Sequence, residues 1–417
     1  MDVTTVLRGL GEARELPLDD ADRLRLEHAA LALVRDGQRR RRRERERSAR
    51  RADAEVLAAT AMGTPGRVAD APVAGPPAVP PGPGRLRHAR RCYVCKGPYT
   101  RVDALYHLLC PACASSNSAR RTARADLTGR RALITGGRVK IGHQLALKML
   151  RDGAHVTVTT RFPADAARRF AAAGDWADRL RIIGIDLRDP RDVIALTDRL
   201  TVTGEPLDIL VNNAAQTIRR PASAYAALTA GERALPEAGP EAVRQTAAPP
   251  DISGLLPDLS PVNSWSTRIG GIDPAEFLEV HLINVMAPVL LTDRLLPLLL
   301  ASPARRRYVI NVSAVEGRFA VINKTGRHPH TNMAKAALNM LTRTSADDLA
   351  RQGVYMCSVD TGWITDEHPV PVRDRLDRRT PLDVIDGAAR VYDPIVRGEA
   401  GHPLHGVFLK DYQVATW

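Results

Sequence analysis

The apolar positions follow two regimes along the chain. From residue 130 onward, short apolar runs recur at 131–135, 155–159, 181–185, 207–211, 308–312 and 354–359. Stretches with helical spacing lie between them, notably 162–173, 191–200, 274–300 and 332–351. Strands alternating with helices predict a parallel, doubly wound α/β sheet covered on both faces. Residues 217–271, rich in Pro, Ala and Gly, are too long for an ordinary connection and are expected as an insertion over or beside the sheet edge. Before residue 130 the pattern changes. Residues 1–62 read as helical, with a partial apolar stripe at Leu24, Leu26, Leu31, Leu33 and Val34, and 63–88 read as a Pro-rich linker. A compact segment at 89–120 follows, and 126–417 carries the α/β pattern.

The first α/β run ends in Thr135-Gly136-Gly137-Arg138, and Lys140-Ile141-Gly142 then opens an amphipathic run closed by Asp152-Gly153. Strand, glycine turn and helix together suit a dinucleotide. Glycine lets backbone approach a pyrophosphate, while the helix start supplies free N–H groups and a positive dipole end. An NAD-selective site carries an acidic residue about 20 positions after the glycines, at the end of the second strand. Arg161 stands in that region here. With Arg138 in the turn, it favours the 2′-phosphate of NADP, with NAD as the other possibility.

Charge is unevenly spread. Residues 1–130 carry 25 Lys and Arg against 15 Asp and Glu, which is +10 of the chain's +13. The basicity therefore belongs to the N-terminal part, which could contact a protein or a polyanion. Its run from Arg39 to Arg51 interleaves acids with arginines, as in a solvated helix with i,i+4 pairs, and offers no aromatic platform for bases. Four of the five cysteines form two C-x-x-C pairs, Cys92/Cys95 and Cys110/Cys113, separated by 14 residues. Four thiolates so spaced can converge on one structural Zn2+, with a small hairpin between the pairs. His107 reads as a packing or surface residue, and Cys357 as core. No apolar run reads as a membrane span, and the N-terminus does not read as a signal segment, so the expectation is a cytoplasmic protein.

Further motifs follow the strands: Asp186-Leu187, then Asn212-Asn213-Ala214-Ala215, Asn284 in a long helix, Asn311-Val312-Ser313-Ala314, and Lys335 opening Lys-Ala-Ala-Leu-Asn-Met. Together with Thr135-Gly136 these resemble the short-chain dehydrogenase/reductase family over roughly residues 128–415. The resemblance implies a nicotinamide cofactor along the strand ends, Asp186 beside its adenine, and a homo-oligomer formed through the two long helices. It also implies a cofactor loop at Thr361-Gly362-Trp363-Ile364-Thr365, with Thr365 near the nicotinamide amide or the pyrophosphate. Several positions depart from the family pattern. Lys140 replaces the middle glycine of the turn, either contacting phosphate or pointing away and narrowing the pocket. Thr331 stands where the family has its acid/base tyrosine, and Ala314 where it has its serine, with Ser313 one residue earlier. Asn284 and Lys335 remain. His330 and His328, in the loop before Thr331, are alternative proton donors with a suitable intrinsic titration range. The resemblance thus implies an NAD(P)-dependent oxidoreductase of unidentified small-molecule carbonyl or alcohol with a degenerate Ser/Tyr site. The alternatives are a non-catalytic NADP-binding module that engages a partner through the zinc ribbon, and nucleic-acid binding by ribbon and arm.

Overall fold

The computed structural model describes residues 2–68, 70–73, 84–176, 178–233, 255, 257–376 and 379–417. The chain starts with two helices, α1 (Val3–Ala13) and α2 (Ala21–Ala58), capped by Asp2 and Asp20, whose carboxylates accept the free N–H groups of each first turn. On α2 the interleaved charges pair one turn apart, Arg40 with Asp36 and Arg42 with Glu46. The strands β1 (Arg85–Arg91) and β2 (Pro98–Arg101) form an antiparallel hairpin, followed by α3 (Pro111–Thr122). The first cysteine pair sits in the hairpin turn, and Cys110 is the N-cap of α3. The hairpin therefore encloses the first pair instead of lying between the two.

The α/β part runs β3 (Arg131–Thr135), α4 (Lys140–Arg151), β4 (His155–Thr160), α5 (Pro163–Ala173), β5 (Leu180–Gly184), α6 (Pro190–Thr203) and β6 (Ile209–Asn212). It continues with α7 (Ala226–Arg233), α8 (Pro274–His281), a π-turn (Leu282–Met286), α9 (Ala287–Ala301), β7 (Arg307–Ser313), α10 (Pro329–Arg351) and β8 (Val354–Asp360). It ends with α11 (Val370–Leu376), α12 (Val384–Glu399), β9 (Phe408–Lys410) and β10 (Gln413–Ala415). The sheet order is β10-β9-β8-β7-β6-β3-β4-β5, parallel except for β10. This is the doubly wound sheet expected from the alternation. Its order reverses between β3 and β6, where such sheets open a ligand crevice at the strand C-termini.

Two apolar layers cover the sheet. Leu145, Met149, Phe170, Tyr392 and Ile395 pack on one face, and Leu196, Leu291, Leu295 and Leu299 on the other. Residues 274–301 form one helical run long and apolar enough to cross a membrane, although no apolar run was expected to be. Its Leu291, Leu295 and Leu299 are fully buried in the second layer, as in the core helix of a sheet protein.

The cysteine segment is not a separate bead. Met62, Leu86, Tyr106 and Leu109 share one apolar cluster with Ile364, Leu382 and Val384, and Ile141 packs against it. Arg121 binds both carboxylate oxygens of Asp383 (2.6 and 2.8 Å), and the Tyr106 hydroxyl donates to Asp386 (2.6 Å). Breaking either buried polar pair would leave a carboxylate with unmet desolvation. The segment is thereby fixed against the start of α12, behind the loop 361–365.

Candidate functional site

A cavity of about 360 Å³ lies at the reversal point, lined by the ends of β3, β4, β5 and β6. Thr135 and Asn213 build its floor without facing it. The Thr135 hydroxyl accepts the N–H groups of Asn213 and Ala214 (3.0 and 2.9 Å), and Asn213 Nδ2 donates to the carbonyls of Thr135 and Gly136. Gly136 has φ 71°, and a side chain there would also press on Ala214. A Cβ on Gly142 would stand 2.2 Å from the Gly136 carbonyl oxygen and 2.6 Å from Asn213 Nδ2, so only glycine lets α4 start this close to the strand end. Val139, the N-cap, has no side-chain acceptor for the free N–H groups of α4. That glycine cradle and uncapped helix start fit a pyrophosphate.

Arg161 lies over the rings of Tyr225 (4.7 Å) and Phe162 (5.4 Å), and lines the cavity together with Asp186 and Leu187. Arg138 also lines it, bound to Asp165 at 2.8 Å. Asp186 is gripped by Arg188, which outweighs burial and holds its carboxyl below the usual range. Lys140 is left-handed (φ 52°), and its Nζ reaches Glu367 (3.1 Å), Thr365 (3.3 Å) and Asp70 (3.4 Å). Burial alone would lower its ammonium, but Glu367 and then Asp70 hold it above the usual range. Burial also raises Asp70, against the pull of Lys140. The ammonium thus belongs to a buried ion cluster at the cavity wall. Ala214 lines the cavity with Ala215 and Gln216, whereas Gly137 packs tightly on Val158. Ile364 is buried, and Gly362 turns the loop at φ 77° beside Thr361.

The other half of the crevice, at the ends of β7 and α10, is filled. Asn284, in the π-turn, bonds the N–H (2.7 Å) and carbonyl (3.0 Å) of Gln216, so it fixes the cavity wall. Lys335 Nζ donates to the Val312 carbonyl (2.8 Å), and burial brings its ammonium down to about 8. Ser313 donates to Asn339 (2.6 Å), and Thr331 to the carbonyl of His328 (2.8 Å). His330 is completely buried against Glu276 (3.3 Å). His328 stacks on Trp265, and burial lowers it to about 4. Ser313, His330, Thr331 and Lys335 do not line the cavity, so the structure does not bring them to this crevice. It brings instead Asp70, from the Pro-rich segment, and Asp366, Glu367, His368 and Arg373. Three consecutive titratable residues directly after Thr365 were the sequence signal for the latter group. The described part of 217–271 contributes Thr217, Ile218, Arg220, Tyr225, Pro257 and Asp258 to the same wall.

Cys92, Cys95, Cys110 and Cys113 bring their Sγ atoms within 4.8 Å of one another, an arrangement that could hold a metal ion. The Gly97 N–H lowers the Cys95 thiol to about 7, while burial and the neighbouring sulfurs raise Cys110 and Cys113. A divalent cation removes that mutual penalty, so the donor set fits zinc. His107 is buried outside the group, and Cys357 is core, its Sγ against the Leu404 carbonyl (2.9 Å).

A crevice at the switch of a doubly wound sheet, floored by glycines, defines a nucleotide-binding α/β protein. Family models place it further: residues 130–231 match the short chain dehydrogenase model and 253–381 the enoyl-(acyl carrier protein) reductase model. The chain belongs to the short-chain dehydrogenase/reductase family. It is 33% identical over 336 residues to Uncharacterized protein R665 of Acanthamoeba polyphaga mimivirus, covering 73% of this chain and 71% of that one. It is 28% identical over 246 residues to the rhamnolipids biosynthesis 3-oxoacyl-[acyl-carrier-protein] reductase of Pseudomonas aeruginosa, covering 57% and 73%. The NADPH-bound carbonyl reductase from chicken fatty liver overlays 72% of this chain and 98% of its own, with 20% identity and a TM-score of 0.49.

Proposed function

We propose that the protein is an NADP(H)-dependent oxidoreductase that interconverts a carbonyl and an alcohol without the tyrosine of its family. The carrying observation is the glycine cradle with Arg161 stacked at the second strand end, beside Arg138. Bound there, the cofactor supplies or accepts hydride. Backbone N–H groups at the start of α4 hold its pyrophosphate, and Arg161 meets the 2′-phosphate. Lys140 offsets part of the charge of Asp70 and Glu367, which lessens the repulsion between the wall and the phosphates. The four-cysteine segment holds a structural zinc and braces the cofactor loop, since the Tyr93 hydroxyl accepts the Trp363 N–H (2.8 Å). A second copy of the chain covers the exposed Met286, Val289, Met333 and Met340 on the two long helices.

A specific observation favours a second reading, a cofactor-binding module without turnover. The positions of the family's reacting groups hold Ala314 and Thr331, and Lys335 is tied to Val312. Calorimetric titration with NADPH and NADH, followed by a carbonyl panel, tests both readings. NADPH is expected to bind more tightly than NADH, and equal binding rejects the assignment. Elemental analysis is expected to find one zinc per chain, lost from the Cys92→Ser/Cys110→Ser protein. A metal-free protein with an unchanged melting curve would sink the zinc assignment.

A further inference from the structure

We propose that His368 is the acid/base of this site, positioned by Asp366 on one ring nitrogen and met by Arg327 on the other. The proposal rests on the oxidoreductase reading above. His368 and Asp366 line the same cavity as Gln216, Ile283 and Lys140, three residues or fewer beyond Thr365. Asp366 Oδ1 meets His368 Nδ1 at 2.5 Å and also accepts the His368 backbone N–H at 3.1 Å, which fixes the ring to the loop. The guanidinium of Arg327 faces the other ring nitrogen, with Nη1 3.3 Å from Nε2. A guanidinium can only donate, so Nε2 carries a lone pair and Nδ1 carries the proton that Asp366 accepts. That tautomer leaves Nε2 as the basic atom, its lone pair accepting the Arg327 N–H.

His368, held by Asp366, supplies the titratable group that Thr331 cannot. A substrate oxygen that displaces the Arg327 N–H from Nε2 would exchange its proton with Nε2. In the oxidising direction the alcohol O–H bond breaks and its proton goes to Nε2. The carbinol C–H electron pair leaves as hydride to oxidised nicotinamide, and the C=O bond forms. Reduction reverses each transfer: the carbonyl carbon gains hydride and its oxygen gains the Nε2 proton. Asp366 stabilises the imidazolium formed in between. The other histidines of this region are excluded by their surroundings. His330 is sealed against Glu276, and His328 lies between Trp265 and Asn332.

The test uses the full-length, zinc-loaded protein. Nitrogen NMR of labelled histidine is expected to report the Nδ1–H tautomer for His368, reverting to the Nε2–H form in Asp366→Asn and responding to NADP+. An Nε2–H tautomer in the unmodified protein, or a ring indifferent to bound NADP+, would overturn the assignment and leave the cofactor reading standing. With NADPH and phenanthrenequinone, His368→Ala is expected to lose at least about a hundredfold in kcat, to keep its NADPH affinity, and to regain turnover with added imidazole. Undiminished turnover, or loss that imidazole does not rescue, argues against proton transfer by His368. So does an unmodified protein that binds NADPH yet leaves the dione untouched. Failure of the unmodified protein to bind NADPH at all instead removes the cofactor reading on which the proposal stands.

Discussion

The two halves of the crevice were built from the same sheet and have diverged. At the ends of β3 to β6, backbone does the work: glycines at 136, 137 and 142, uncapped N–H groups, and a floor tied by Thr135 and Asn213. Those features lie beneath open space, which Gly136 lines directly. At the ends of β7 and α10 every hydroxyl, amide and ammonium already has a protein partner, and the imidazoles lie in the core. A binding half can persist unchanged while the reacting half is repacked, because the first depends on chain path and the second on a few side chains. On the reading proposed above, the proton chemistry sits on the loop after β8 and not on α10.

The most damaging change should strike the open half. Gly142→Val would drive its side chain into the Gly136 carbonyl and Asn213. Each displaced charge-assisted phosphate contact forfeits roughly 1.5–3 kcal/mol, so loss of two should weaken NADPH binding at least about a hundredfold. Calorimetry checks it, and retained affinity would mean that the cradle does not hold the pyrophosphate.

The filled half should answer to pH instead. His328 is buried and neutral, lowered to about 4 from an ordinary value near 6.5. Its unfolded form binds a proton first as pH falls, so the stability it contributes is complete above about 6.5 and is lost as pH drops to about 4. The shift corresponds to roughly 3 kcal/mol, at about 1.4 kcal/mol per unit. His328→Gln should therefore lose less stability between neutral and acid pH than the unmodified protein. Denaturant melts across that window measure it, and parallel curves for both proteins would show that His328 does not drive acid unfolding.

Arg161→Asp probes the cofactor choice. Removing one guanidinium–phosphate contact should narrow or reverse the NADPH preference by roughly 1.5–3 kcal/mol. Competitive titration with NADPH and NADH reads the change directly. An unchanged ratio would transfer the role to Arg138, whose charge is already shared with Asp165.

The fold was largely legible because parallel strands announce themselves as apolar runs. All six runs correspond to β3 through β8. The short β9 and β10 gave no such run, since three residues each at a sheet edge carry little pattern. The glycine turn was legible because its chemistry is local. The contents of the reacting half were not. Spacing puts Thr331 and Lys335 on one helix face but cannot say that Lys335 reaches the Val312 carbonyl, or that His330 turns toward Glu276. Nor could sequence distance join Asp70 to Lys140, a contact between the segment before the cysteines and the first turn of α4.

Replacement of Lys140, in the ion cluster at the cavity wall, has the smallest and most informative expected effect. Lys140→Gly restores the glycine at the turn's middle position and relieves a left-handed backbone that costs a side-chain-bearing residue about 1–2 kcal/mol. Part of that gain is returned, because glycine raises the entropy of the unfolded chain by up to about 1 kcal/mol. Folding stability should therefore change little. Cofactor affinity should fall, because Asp70 and Glu367 would face the pyrophosphate without their cation. Asp70 is already raised by burial, so lowering the pH should protonate it and recover part of the affinity in Lys140→Gly more than in the unmodified protein. Adding Asp70→Asn should recover that part at neutral pH. Titrations of the three proteins decide the matter. If Lys140→Gly alone binds NADPH more tightly than the unmodified protein, then Lys140 obstructs the cradle, and the ion cluster serves to keep the cofactor out.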